Sequence, residues 1–299
     1  MHPPSLVIQS VLYGNESALI ERAVEAVANS ARTAVASGAL GEWGVRLGDA
    51  SPEPVLDADL AARLGDAVEA AGGTFDYVLF GFNSGHGQGH NLLAADSTSD
   101  LLLFLNPDSL IAPETLAELI AVASAEGVGV VDGRQLPLEH PKDFDTVTGE
   151  TSWSSGACSM TRRSVFVEVG GFDHETFFLY CDDVDYSWRV KLAGHGVRHA
   201  PAARLFHDKR LTRHGDMVAS EAEHYYSAEA ALLLAYKYSR DDIVENIVAA
   251  FRREPADSHV GRALVEFTRR RQAGLLPQRL DPSHSVGQFI NGNYAVHRF

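Results

Sequence analysis

Between Ser5 and Asp132 short apolar runs alternate with longer stretches of helical period. The runs are Ser5–Leu12 (SLVIQSVL), Trp43–Leu47, Phe75–Phe82 (FDYVLFGF), Leu101–Leu105 and Val128–Asp132. Each ends in turn formers, so they predict five strands. The intervening segments, Glu16–Ala36, Leu56–Ala71, about 91–95 and Pro113–Ser124, read as helices. The first of them puts Leu19, Ala23, Ala26 and Val27 on one face. Strands alternating with helices predict an α/β fold, a mostly parallel sheet with helices on both faces. Ligands of such sheets collect at the carboxyl ends of the strands. Here those ends carry Tyr13, Asp49, a glycine-rich stretch at residues 85–89, and Asp108.

The pattern changes at Arg134. RQLPLEHPKDFDTVTGETSW is polar and loop-like, and Ser154-Ser155-Gly156-Ala157 leads into a short apolar run, Cys158–Thr161. Arg163–Val169 reads as a short helix, and Gly170-Gly171-Phe172-Asp173 as a turn. Next comes FFLYCDDVDYSWR, residues 177–189, in which the β-prone FFLY predicts a buried strand end. Asp182 is placed to cap the following helix, with Asp183 and Asp185 in its first turn, where the helix dipole favours negative charge. Val184, Trp188 and Leu192 would face the core, Asp185 and Arg189 would pair four apart, and Gly194 or Gly196 would end the helix. A strand within Arg198–Leu205 ends in His207-Asp208-Lys209-Arg210. Helices are predicted at Glu221–Tyr238, Ile243–Arg252 and Gly261–Gln272, ahead of a tail at 282–299. The first carries a wide apolar stripe, Tyr225, Ala228, Leu232, Ala235 and Tyr236, which the sheet or another subunit must cover.

Composition narrows the partners. A net charge of −15 argues against nucleic acid, whose phosphates would be repelled. Residues 240–299 hold nine Lys/Arg against seven Asp/Glu, so the negative charge sits in the first 239 residues. The arginines cluster at Arg252-Arg253 and Arg269-Arg270-Arg271, either as a solvated face or as a contact for anionic lipid. Two cysteines make no disulfide framework and fit a reducing cytosol. No apolar run approaches the roughly 18 residues of a membrane span, and the first residues lack the marks of a secretory peptide.

Two stretches suggest chemistry by themselves. The glycines at 85–89 follow a strand and precede a helix, but a dinucleotide fingerprint would follow the first strand, with a third glycine and a later ribose-binding acid. A loop closing on a phosphate or sugar fits better, beside the plain alternative of a structural turn. Asn106-Pro107-Asp108 offers one carboxylate at a buried strand's end, a turn former or an oxygen ligand for Mg²⁺ or Mn²⁺. Carboxylates at the head of the helix after FFLY are held ionised by the dipole while crowding and aromatic neighbours oppose that, which suits a general base.

In order along residues 5–210, these pieces resemble the family 2 inverting nucleotide-sugar glycosyltransferases, in the rhamnosyltransferase- and galactofuranosyltransferase-like branch. The series is Tyr13-Gly14-Asn15, Gly48-Asp49-Ala50-Ser51, Asn83…Gly85…Gly89…Asn91, Asn106-Pro107-Asp108, Ser155-Gly156-Ala157, Gly170-Gly171-Phe172-Asp173, Asp182-Asp183-Val184-Asp185 and His207. The resemblance implies a GT-A fold, a Rossmann-like catalytic domain over 1–211 (donor half about 1–132, acceptor half about 133–211) with a helical extension at 212–299. It implies that Tyr13, Asn15, Asp49, Asn83, Gly85, Asn91, Asn106 and Asp108 line the donor. Asp108 and His207 would hold Mn²⁺ or Mg²⁺, Asp183 would be the base, and Asp182, Trp153 and Gly156 would meet the acceptor. Gly48 stands where many members carry an acid, and Asn106 replaces the metal motif's first acid. No Gln-x-x-Arg-Trp motif of processive synthases is present, so one or a few sugars would be transferred.

The implied reaction moves a sugar from a UDP- or dTDP-linked donor to a saccharide or lipid-linked acceptor in cell-surface polysaccharide synthesis. Its setting would be the cytoplasm or the inner membrane face, with peripheral lipid contact and pairing through the C-terminal helices left open. A nucleotidyltransferase or pyrophosphorylase would instead show a glycine- and Lys/Arg-rich loop after the first strand, which Tyr13-Gly14-Asn15-Glu16 is not. Against a non-catalytic sugar-nucleotide-binding protein stand Asp108, Asp183 and His207.

Overall fold

A computed structural model describes residues 2–140, 142–207 and 219–295. These form one eight-stranded sheet in the order β3-β2-β1-β4-β7-β6-β8-β5. The strands are β1 (Leu6–Leu12), β2 (Trp43–Asp49), β3 (Thr74–Leu79), β4 (Leu101–Leu105), β5 (Ser109–Ile111), β6 (Val128–Leu136), β7 (Cys158–Arg162) and β8 (Gly196–His207). The sheet is mixed: β7 and β5 run against the other six, and β7 pairs antiparallel with both β4 and β6. All five residues of β4 are buried because alternate side chains feed two cores. Leu101, Leu103 and Leu105 meet the core under α1 (Ser17–Ala36), α2 (Ala58–Ala70) and α4 (Thr115–Ala123), while Leu102 and Phe104 meet α5 (Arg163–Glu168) and α6 (Asp182–Leu192). A strand covered on both faces reads as an unbroken apolar run. The buried stripe of α1 centres on Ile20, Val24, Val27 and Ala31, one step from the expected face.

A third core joins Trp153, Phe177, Val184 and Trp188 to α7 (Glu221–Lys237), α8 (Asp241–Phe251) and α9 (His259–Ala273). It covers Leu232 and Ala235 of the α7 stripe within the chain, and Ala228 is buried as well, so no second copy is needed to bury them. Ser220 and Glu223 cap α7 reciprocally. The expected boundary at 211/212 and Asp208, Lys209 and Arg210 lie outside the described residues. Of the five clustered arginines, Arg269 and Arg270 are engaged by Glu266, and Arg270 also by Glu229. Among the described residues no helix is long and apolar enough to cross a membrane.

Three expected features are corrected. FFLY forms no strand, because Tyr180 (φ 66°) and Cys181 (φ 59°) are left-handed, and the chain turns instead of extending. Cys181, not Asp182, is the N-cap of α6, and Leu192 is exposed at 42%. The glycine stretch is not a loop: it forms the first turns of α3 (Gly85–Ala94). A Cβ on Gly89 would stand 2.6 Å from a Val11 methyl, and one on Gly87 2.9 Å from the Phe172 Cβ. These glycines let α3 lie close against β1 and the 170–173 turn. Gly89→Ala is therefore expected to destabilise by about 1–2 kcal/mol in urea unfolding, overpacking outweighing the gain in helix propensity. Unchanged stability would mean that Val11 yields freely.

Candidate active site

The strand ends present two groups of side chains. At the ends of β1 and β2, Asn15 Oδ1 accepts from the Tyr13 N–H at 2.8 Å, and the Gly14 N–H donates to Ser51 Oγ at 2.8 Å. Asp49 is wholly buried and accepts from the Ser51 N–H (2.9 Å), the Val55 N–H (2.8 Å) and the Tyr77 hydroxyl (2.5 Å). Burial pushes its carboxyl up, but these bonds outweigh that and leave it below the usual range. Its carboxylate thus organises the 49–55 loop and presents no surface of its own to a base. Tyr13, 55% exposed, is the open side chain of this group. At Gly48 a Cβ would stand 2.3 Å from the Phe80 ring, so aromatic packing explains the missing acid there.

The second group is assembled by β5, which is three residues long and carries no sequence signature. It pairs antiparallel with the end of β8, Ser109 opposite His207, and so delivers Asp108 to His207. The His207 Nε2 lies 3.4 Å from Asp108 Oδ1 and 3.3 Å from Asn106 Nδ2. Its Nδ1 faces Gln135 Oε1 at 2.9 Å, while Gln135 Nε2 donates to Ser155 Oγ at 2.9 Å. Gln135 thus joins His207 to the Ser155 loop. A carboxylate and an imidazole this close can hold a cation between them. Among the described residues no third His, Cys, Asp or Glu joins them. Such a sparse set fits Mg²⁺ or Mn²⁺, which takes most of its ligands from substrate phosphates and water.

Ser155 leads to the acidic turn. The Asn106 N–H donates to the Ala157 carbonyl at 3.0 Å, holding the Ser155-Gly156-Ala157 loop beside the end of β4. The Gly156 N–H donates to Asp183 Oδ2 at 2.9 Å, and Asp183 Oδ1 accepts from the Val184 N–H at 2.8 Å. Asp182, freed from capping, pairs with His86 Nδ1 at 2.5 Å. A continuous run of contacts therefore joins Asp108, His207, Gln135 and Ser155 to Gly156, Asp183, Asp182 and His86. Gln135 and His86 were not among the expected residues, and their partners lie 72 and 96 positions away. The one local hint is a polar residue near each turn.

Other expected residues sit apart from this run. Trp153, expected at the acceptor, is 1% exposed, edge-on to Tyr294 and under the Lys142 ammonium, so its indole belongs to the core. Asn91, expected at the donor, donates to the Phe172 carbonyl (2.8 Å) and accepts from the Phe172 N–H (2.9 Å), pinning the 170–173 turn. Asn83 accepts from the Gly85 N–H at 3.1 Å at the head of α3. Gly85 (φ 64°) lies against the Phe178 carbonyl, 2.5 Å from where a Cβ would be, so it too packs against protein.

Residues 57–186, which include α3, the Asp108 turn and the acidic turn, match the model of glycosyl transferase family 2. That match spans 130 of the 299 residues. The chain is 40% identical over 75 residues to the N-acetylglucosaminyl-diphospho-decaprenol L-rhamnosyltransferase of Mycobacterium tuberculosis, a match covering 25% of this chain and 24% of that protein. The rhamnosyltransferase WbbL of Escherichia coli is 25% identical over 169 residues, 44% of this chain and 63% of that one. The chain thus spans less than two thirds of either relative. Among solved structures, the mannosyltransferase PcManGT of Pyrobaculum calidifontis, in complex with GDP-Man and Mn²⁺, superposes with a TM-score of 0.57 at 15% identity, over 88% of this chain and 69% of that one. The chain therefore has the GT-A-like fold implied by its motifs, with C-terminal helices packed on it.

Proposed function

We propose that the protein transfers one sugar at a time, with inversion, from a nucleoside diphosphate donor to a hydroxyl of a saccharide or lipid-linked acceptor. One observation carries this reading: a single run of contacts puts a carboxylate held by a backbone N–H, Asp183, beside a carboxylate–imidazole pair, Asp108 and His207, at the strand ends. Inversion needs a base on the attacking hydroxyl and positive charge at the departing diphosphate. Asp183 would take the proton, and the Gly156 N–H orients its carboxylate. Asp108 and His207 would hold the divalent ion, which when bound would neutralise the diphosphate. Gln135 ties His207 to the Ser155-Gly156 loop that holds Asp183. Tyr13 would rest on the nucleobase, beside a loop kept rigid by Asp49. The rhamnosyltransferase relatives favour a rhamnosyl-type sugar, and the name of the Mycobacterium tuberculosis protein favours a lipid-diphosphate-linked saccharide as acceptor.

Release of nucleoside diphosphate from UDP-, dTDP- and GDP-sugars, with and without Mn²⁺, tests the reading. Turnover on at least one donor with a suitable acceptor supports it, and binding without turnover across the panel points to a sugar-nucleotide-binding protein. Asp108→Ala is expected to abolish the Mn²⁺-dependent part of nucleoside diphosphate affinity in calorimetry. His207→Ala should weaken it less, since a hard ion favours carboxylate over imidazole. Equal affinities in all three proteins would remove both residues from a metal site.

A further inference from the structure

His86 lies on none of the steps above, yet it packs closely on the acidic turn. We propose that His86 is a positioning residue whose positive charge balances Asp182, leaves the neighbouring Asp183 ionised, and so sets the lower end of the pH range in which the site works. This rests on reading Asp183 as the base. The geometry comes first. The imidazole Nδ1 lies 2.5 Å from Asp182 Oδ2, with the two side chains only 19% and 5% exposed. A Cβ on Gly156 would stand 3.1 Å from His86 Cε1 and 3.4 Å from Asp183 Cβ, so ring and base flank one glycine closely. The ring is held edge-on by His90 (4.6 Å between centroids) and by Phe172 (5.6 Å).

The charges facing the ring are few. Asp182 and Asp183 come from α6 and His90 from its own helix, while Phe172 and Gly156 bring none. His90 stays neutral, its proton affinity lowered far by burial and further by the charge of His86. Burial also works against a proton on His86, but Asp182, and after it Asp183, reverse the balance and hold the ring above the ordinary histidine value. The two carboxylates thus favour the charged form of the ring. Without it, two carboxylates share a half-dry pocket, and such pairs keep a proton to higher pH.

His86→Phe keeps the aromatic packing and removes the charge. Its kcat/KM should match wild type most closely at high pH, with the acid limb of the profile raised by about one unit, a tenfold deficit at the acid end. His86→Asn keeps a donor for Asp182 without the charge, and should show the same displaced limb. A uniform loss at every pH in both variants would overturn the proposal, since packing alone has no such pH signature. An independent reading comes from the imidazole NMR titration in the full-length protein. His86 should titrate above 6.5 in wild type and fall in Asp182→Asn. A His86 indifferent to Asp182→Asn would also overturn it. Coupling seen by NMR in a protein that transfers no sugar would count against the glycosyl-transfer reading and not against the pair.

Discussion

Asp183→Asn is expected to fold like wild type and to lose roughly 10²–10⁴-fold in turnover, the usual worth of a general base. The amide oxygen can still accept from the Gly156 N–H that holds Asp183 Oδ2 at 2.9 Å, so the loop before β7 should stay in place. What vanishes is the capacity to take a proton from the acceptor. Nucleoside diphosphate release should fall while Mn²⁺-dependent donor affinity is kept, because Asp108 and His207 are untouched. Near-wild-type turnover with the same metal dependence would assign the base elsewhere.

Lys237→Met should be the most damaging change for stability, at about 3–5 kcal/mol. The ammonium is 5% exposed and bridges two carboxylates, Asp173 at 2.6 Å and Asp185 at 2.5 Å, while lying 5.4 Å from the centre of the Phe177 ring. Removing it leaves a partly buried carboxylate on the 170–173 turn and a fully buried one at the head of α6, the second still paired with Arg189. Burial raises the Asp173 carboxyl, but Lys237 outweighs it and holds that group below its ordinary 3.8. Its contribution is thus fully present above pH 3.8 and fades as pH drops through the lower folded value. The gap between wild type and variant, read by denaturant unfolding, should be full at pH 7 and narrow below pH 4. A gap independent of pH would mean that packing, and not charge, is what Lys237 supplies.

The legible parts of the fold were those whose cause is local. LLLFL declared itself a doubly covered strand, and α1, α4 and α7 declared themselves by their period. β5 stayed hidden because three residues have no period, and its existence depends on the end of β8, about a hundred positions on. FFLY misled because β-propensity describes a pleated surface, whereas two left-handed residues here turn the chain toward α6. The glycines misled in the opposite sense: glycine usually signals a loop, but Gly87 and Gly89 answer to Phe172 and Val11, which no window of sequence brings near them. The site divides in the same way. The acidic turn and the Asn106-Pro107-Asp108 turn are compact patterns, while Gln135 and His86 gain their meaning only from distant partners. Trp153 and Asn91 lie next to these motifs and pack against other parts of the protein.

The clamp on α6 also bears on the order of assembly. Val184 and Trp188 find their cover on helices that begin at Glu221, and Asp185 meets Lys237 and Tyr238 more than fifty residues after its own synthesis. A chain emerging from the ribosome can complete β1 through β8 while this helix still shows an apolar flank to water. Nascent chains halted before α7 should therefore be sticky and chaperone-dependent, and competent chemistry should be among the last properties the polypeptide acquires.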